Sequence, residues 1–137
     1  MHESRTFAGL FNAILRPRTS LRAACSILFV AMVAALFYAS AKPAGLPLIA
    51  PPLDKLVHFG YYAVLTMLLI VAAGGRGVLI AALVVIGVGA ADELFQSTVP
   101  QRTADWLDFA ADIVGALVAA AAFVWLARRA RYLSAAS

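Results

Sequence analysis

The chain has 137 residues, of which 64% are hydrophobic and only 13% charged. A soluble domain of this size needs more charge to cover its surface, so a water-soluble enzyme or binding module is excluded. The net charge of +4 is too small and too scattered for a nucleic-acid footprint, and its distribution reads as membrane topology instead.

A helical crossing needs about 20 apolar residues. Stretches at about 23–41, 56–73, 78–99 and 107–127 meet or approach that length. The reading is a single all-α domain over residues 1–137, an integral membrane four-helix bundle, with residues 1–22 as a cytoplasmic segment. Within that segment Phe7, Leu10, Phe11 and Ile14 recur at i, i+3, i+4 and i+7. This spacing, with Arg5 and Arg16 alongside, predicts a short helix lying on the membrane surface and ending at Pro17. A loosely ordered tail is the alternative.

The first span holds the single cysteine, Cys25, so no intrachain disulfide framework exists. Its end, Ala39-Ser40-Ala41, has the look of a signal-peptide cleavage site, but the apolar run is longer than a signal peptide needs. The span is therefore read as retained. Four of the six prolines, Pro43, Pro47, Pro51 and Pro52, then fall together and require a loop.

Asp54 opens the second span, where it can cap free N–H groups and face the positive helix end. Lys55 and His58 follow, with His58 one turn below Asp54 on the same face. The third span ends in Asp92-Glu93-Leu94-Phe95-Gln96. Gln96 is within reach of Asp92 at i+4 and of Glu93 at i+3. Both acids lie near a helix C-terminus, where the dipole opposes negative charge, so no capping role explains them. Arg102 sits in the next short loop, positioned to reach carboxylates. Asp105, Asp108, Asp112 and Gly115 are spaced 3, 4 and 3 and share a face of the fourth span. Asp105 and Asp108 suit an N-terminal capping turn; Asp112 is too deep for one. Ala111, Gly115 and Ala119 form a small-residue stripe that permits close helix packing.

With four spans, Arg5, Arg16, Arg18, Arg22, Arg76, Arg128, Arg129 and Arg131 fall at one end and Lys42, Lys55 and Arg102 at the other. The positive-inside rule then predicts cytoplasmic termini in an inner, cytoplasmic membrane. Six of the seven carboxylates and the only interior histidine lie at the opposite end: Asp54, His58, Asp92, Glu93, Asp105, Asp108 and Asp112. Ionisable groups in spans cost roughly 2.5–3.5 kcal/mol each on insertion scales, so they mark a functional site. His58, Glu93, Arg102, Asp108 and Asp112 are expected to converge in one outer-face cavity. Acids exceed bases there, so some must be protonated or must face a cation or an amine.

Three runs carry a family resemblance. They are Asp54-Lys55-Leu56-Val57-His58-Phe59, Asp92-Glu93-Leu94-Phe95-Gln96, and Gln101-Arg102-Thr103-Ala104-Asp105-Trp106-Leu107-Asp108 leading to Asp112-Ile113-Val114-Gly115. Together, from about Pro51 to Gly115, they resemble the VanZ-like family of small bacterial membrane proteins. The resemblance implies a polar site of Asp54, Lys55, His58, Glu93, Gln96, Arg102, Asp105, Asp108 and Asp112. The family's proline-glycine before the arginine is Pro100-Gln101 here. The family is named for an accessory protein of glycopeptide-antibiotic resistance, which implies a role at the cell envelope and no known reaction.

Two functions are carried forward, with a third reading beside them. One is an envelope membrane protein whose polar site binds a membrane lipid headgroup, a lipid-linked cell-wall intermediate or a partner membrane protein. The other is an intramembrane enzyme in which Glu93 or His58 is the acid or base while Arg102 and Lys55 orient a phosphate. The third is a polar lock that only fixes helix packing. No nucleophile stands out near Ser97 and Thr98, no cofactor is expected, and no metal-binding spacing occurs.

Overall fold

The computed structural model describes residues 17–42 and 53–135, with side chains described as far as Tyr132. The surface helix expected around Phe7 to Ile14 and the four clustered prolines lie outside the described residues. Those described form four helices and no strand: α1 Thr19–Ser40, α2 Leu53–Ala72, α3 Val78–Gln96 and α4 Trp106–Ala135. All four are long and apolar enough to cross a membrane. At 1.5 Å per residue, even the shortest spans close to the ~30 Å of a bilayer core.

The chain runs up and down, so the ends of α1 and α3 and the starts of α2 and α4 share one end of the bundle. α2 is central, touching the other three helices and packing most extensively against α4. Tyr62, Leu65, Val85 and Ala116 form one buried cluster, onto which Phe29, Met32, Val33 and Leu36 of α1 pack. Ile70, Ala81 and Phe123 form a second. Ile27, Val30, Leu79, Ile80, Leu94 and Leu107 point outward and are more than half exposed. In water that surface would drive aggregation; against lipid tails it is matched to its solvent.

The small-residue stripe has the packing role its spacing implies. Gly115 is buried against α2 so tightly that a Cβ there would overlap the Phe59 carbonyl oxygen. Glycine is therefore required for α2 and α4 to meet.

Helix limits differ from the apolar stretches in an informative way. α1 and α2 begin earlier, at Thr19 and Leu53, because a helix starts where its backbone bonds start and not where polar side chains stop. α4 runs beyond 127 to Ala135, since no glycine or proline interrupts the segment. α3 stops at Gln96 and does not reach 99. There Thr98 N–H and Val99 N–H donate to Phe95 and Gln96 carbonyls, tightening the chain into a turn. The Ser97 and Thr98 hydroxyls donate to Leu94 and Phe95 carbonyls, and Pro100 disfavours helix at Val99. Glu93 is thus one turn from its helix end, shallower than a helix to Val99 would place it.

Candidate functional site: a polar network between three helices

Lys55, in the first turn of α2, is the hub. Its Nζ donates to Asp105 Oδ2 and Asp108 Oδ1, each at 2.6 Å, and lies 3.2 Å from Asp54 Oδ2. Asp54 Oδ1 also accepts from the Lys55 N–H at 2.9 Å. Asp54 therefore fills the early-turn role its position predicts and adds a cation contact. Three carboxylates around one ammonium leave it no free valence for a phosphate, which removes Lys55 from the expected phosphate-orienting pair.

One turn deeper, His58 reaches across to α4. Its Nδ1 is 2.9 Å from Asp112 Oδ1, and its Nε2 is 3.9 Å from Asp108 Oδ2. The imidazole stacks nearly parallel to the Tyr62 ring, with centroids 6.5 Å apart. The Nδ1–Asp112 contact orients the ring and leaves Nε2 on the Asp108 side.

On α3, Gln96 Nε2 donates to Asp92 Oδ2 at 2.8 Å, the i, i+4 pair the sequence predicts. Glu93 Oε2 accepts from the Asp105 N–H at 2.8 Å. That bond ties the end of α3 to the start of α4. Asp105 also caps α4, its Oδ1 accepting from the Leu107 N–H at 2.8 Å. Its carboxyl is held below the ordinary carboxylate range, first by the Lys55 hydrogen bond and then by the Leu107 N–H.

Asp92 and Asp112 are 1% exposed and Glu93 8%. Among the described residues, Asp92 Oδ1, Asp112 Oδ2 and Tyr62 Oη are buried without a hydrogen-bond partner. Gly89 makes room for two of these groups: a Cβ there would lie 3.1 Å from both Asp112 Oδ2 and Tyr62 Cε1. Tyr62 and Gly89 were not singled out as site residues from sequence. The available signals were position i+4 from His58 and position i−4 from Glu93, which put each on the polar face of its helix.

The expected single cavity divides. A network of Asp54, Lys55, His58, Asp105, Asp108 and Asp112 fills the α2–α4 seam. A separate cleft of about 250 Å³ opens between α3 and α4, with Glu93 and Asp105 as its charged lining and Leu94, Trp106 and Phe109 among its walls. His58, Asp108, Asp112 and Arg102 do not line it. Arg102 forms no ion pair with the described carboxylates; only its backbone N–H is engaged, with the Val99 carbonyl at 3.1 Å. Lys55 already occupies Asp54, Asp105 and Asp108; just before Arg102, Gln101 has a left-handed φ of 65°. No group of three or more His, Cys, Asp or Glu among the described residues is arranged to hold a metal ion.

Four apolar helices make this a multi-pass membrane protein. No curated protein and no solved structure matches the chain. The family model described as VanZ/LLP1 matches residues 6–127, a span that takes in all three motif runs and most of the four helices. The chain belongs to the VanZ/LLP1 family.

Proposed function

We propose that the protein is an inner-membrane envelope protein that binds an amine-bearing lipid headgroup, or a lipid-linked envelope intermediate carrying one, in the cleft beside Glu93. One observation carries the reading. The cleft is a mainly apolar one walled by Leu94, Trp106 and Phe109, with Glu93 and Asp105 among its lining residues, so it sets acyl contacts beside two acidic residues. Glu93 uses one oxygen on the Asp105 N–H, and the residue is among those that line the cleft. An ammonium group fits an acid-rich end whose lysine is already engaged by three carboxylates. A cytoplasmic placement of both termini puts this end on the outer face of the membrane. Glycopeptide tolerance or envelope-stress resistance is the proposed cellular consequence.

A pure packing lock is less well supported. A buried polar atom without a partner costs about 1–3 kcal/mol, and three such atoms among Tyr62, Asp92 and Asp112 weaken a lock. The enzymatic reading keeps one specific support. His58 is oriented by Asp112 through Nδ1, an arrangement suited to a general base.

The test is Glu93→Gln, which keeps shape and hydrogen bonding but removes charge. Native mass spectrometry of the purified chain with phosphatidylethanolamine should show binding that the variant loses. Phosphatidylcholine, with its blocked amine, should bind weakly to both. The variant should melt within a few degrees of the wild type in detergent, yet fail to complement a deletion strain under envelope stress. A folded variant that binds and complements fully would overturn the reading; an unfolded one would restore the lock.

A further inference from the structure

The opposite end of the bundle carries a second site. Arg22, in the first turn of α1, donates from Nε to the Ala72 carbonyl at the end of α2, at 3.0 Å. Its guanidinium lies over Gly74, where a Cβ would sit 3.4 Å from Cζ and 3.6 Å from Nη1. Gly74 has a φ of +74°, which glycine accepts without strain. One edge of the guanidinium is thereby fixed, and the Nη groups keep their donors. Arg22 and Arg76 together line a cleft of about 220 Å³ with Pro17, Ala73 and Gly74.

Neither arginine has a carboxylate partner among the described residues, because every described acid lies at the other end. The start of α3 adds partial positive charge at this end, and its N-cap, Gly77, supplies no side-chain hydrogen bond. Immediately beyond, Leu79 and Ile80 are each 67% exposed and present an apolar surface of the kind acyl chains cover.

We propose that the Arg22–Arg76 cleft binds the phosphate of an anionic phospholipid. Two guanidiniums, one from α1 and one from the α2–α3 turn, supply the charge and the directional donors that a phosphate diester takes. The apolar start of α3 supplies the place for the tails, and this continuity favours a lipid over a free anion. Basic pockets between spans take acidic headgroups by the same physics. The site is separate from the Glu93 cleft and does not depend on what that cleft binds.

The test uses the full chain in detergent, titrated with phosphatidylglycerol and followed by native mass spectrometry. The wild type should bind one phosphatidylglycerol at least about tenfold more tightly than phosphatidylcholine. Arg76→Gln, which removes no hydrogen bond within the described residues, should lose most of that preference. Arg22→Gln should do the same, with circular dichroism and melting used to confirm that it folds. Arg128→Gln with Arg129→Gln should leave the preference intact. Equal loss in that pair would overturn the site in favour of diffuse attraction. Displacement of the lipid by inorganic phosphate at comparable concentration would overturn the lipid assignment. An unchanged preference in Arg76→Gln would also refute the proposal.

Discussion

Asp105 does three jobs with one residue. Its N–H holds Glu93, one carboxylate oxygen caps α4, and the other accepts from Lys55. Its depressed ionisation constant sets a sign: stability from the charged form is present above the ordinary carboxylate value near 4 and is lost as pH falls through the lower, folded value. The Asp105 contribution to the melting temperature should therefore fall on acidification from about pH 6 to about pH 3. Asp105→Asn should melt lower at pH 6 and lose less over that interval; parallel curves would show that the Lys55 contact carries no pH dependence.

Gln101 is the second residue-scale case. A side chain in left-handed geometry costs roughly 1–2 kcal/mol, and glycine avoids it. Gln101→Gly should leave the melting temperature equal or higher, while β-branched Gln101→Val should lower it. A large loss in Gln101→Gly would mean that the glutamine side chain itself holds the turn.

At the scale of elements, the α2–α4 contact governs whether the polar network forms. Lys55 and His58 come from α2, Asp108 and Asp112 from α4, and Gly115 lets the two backbones meet. Adding one methyl at Gly115 sets a Cβ against the Phe59 carbonyl, which must move. Overpacking of this kind typically costs about 1–3 kcal/mol, and more where backbone must shift. Gly115→Ala should lower the melting temperature in detergent and, by moving α4, weaken lipid binding in the cleft beside Glu93. Leu117→Ala, at the half-exposed lipid-facing surface, should do neither. Similar melting for the two variants would contradict the close-packed seam.

For the whole molecule, the two ends are chemically opposite. The carboxylates described gather where α2 and α4 begin, and the arginines of α1, the α2–α3 turn and late α4 gather at the other end. We propose on this asymmetry that both termini are cytoplasmic. In a Cys25→Ser background, cysteines placed singly at Ser4 and Ser134 should resist an impermeant thiol reagent in intact cells and react after lysis. Labelling of either from outside would reverse the proposed orientation and put the acid-rich end in the cytoplasm.

The sequence by itself determined the number of membrane-spanning helices among the described residues and the end at which the acids collect. Both follow from one-dimensional quantities, the length of apolar runs and the order of charges along an alternating chain. It also narrowed local pairs, Gln96 to Asp92 or Glu93 and the α4 cap to Asp105 or Asp108, because 3.6 residues per turn places such neighbours without reference to the rest of the fold. Only the tertiary structure decided which helices meet. Lys55 binds Asp105 and Asp108, fifty and fifty-three residues away, and no local rule selects those partners over Glu93 or Asp92. The same holds for Arg102, whose charge and place in the loop suggested carboxylate partners. An ammonium already sits among those acids, and Arg102 stands outside the ion-pair network of the described residues. Close packing is likewise a tertiary matter: at Gly115 and Gly89 absent side chains let the Phe59 backbone, Asp112 and Tyr62 approach.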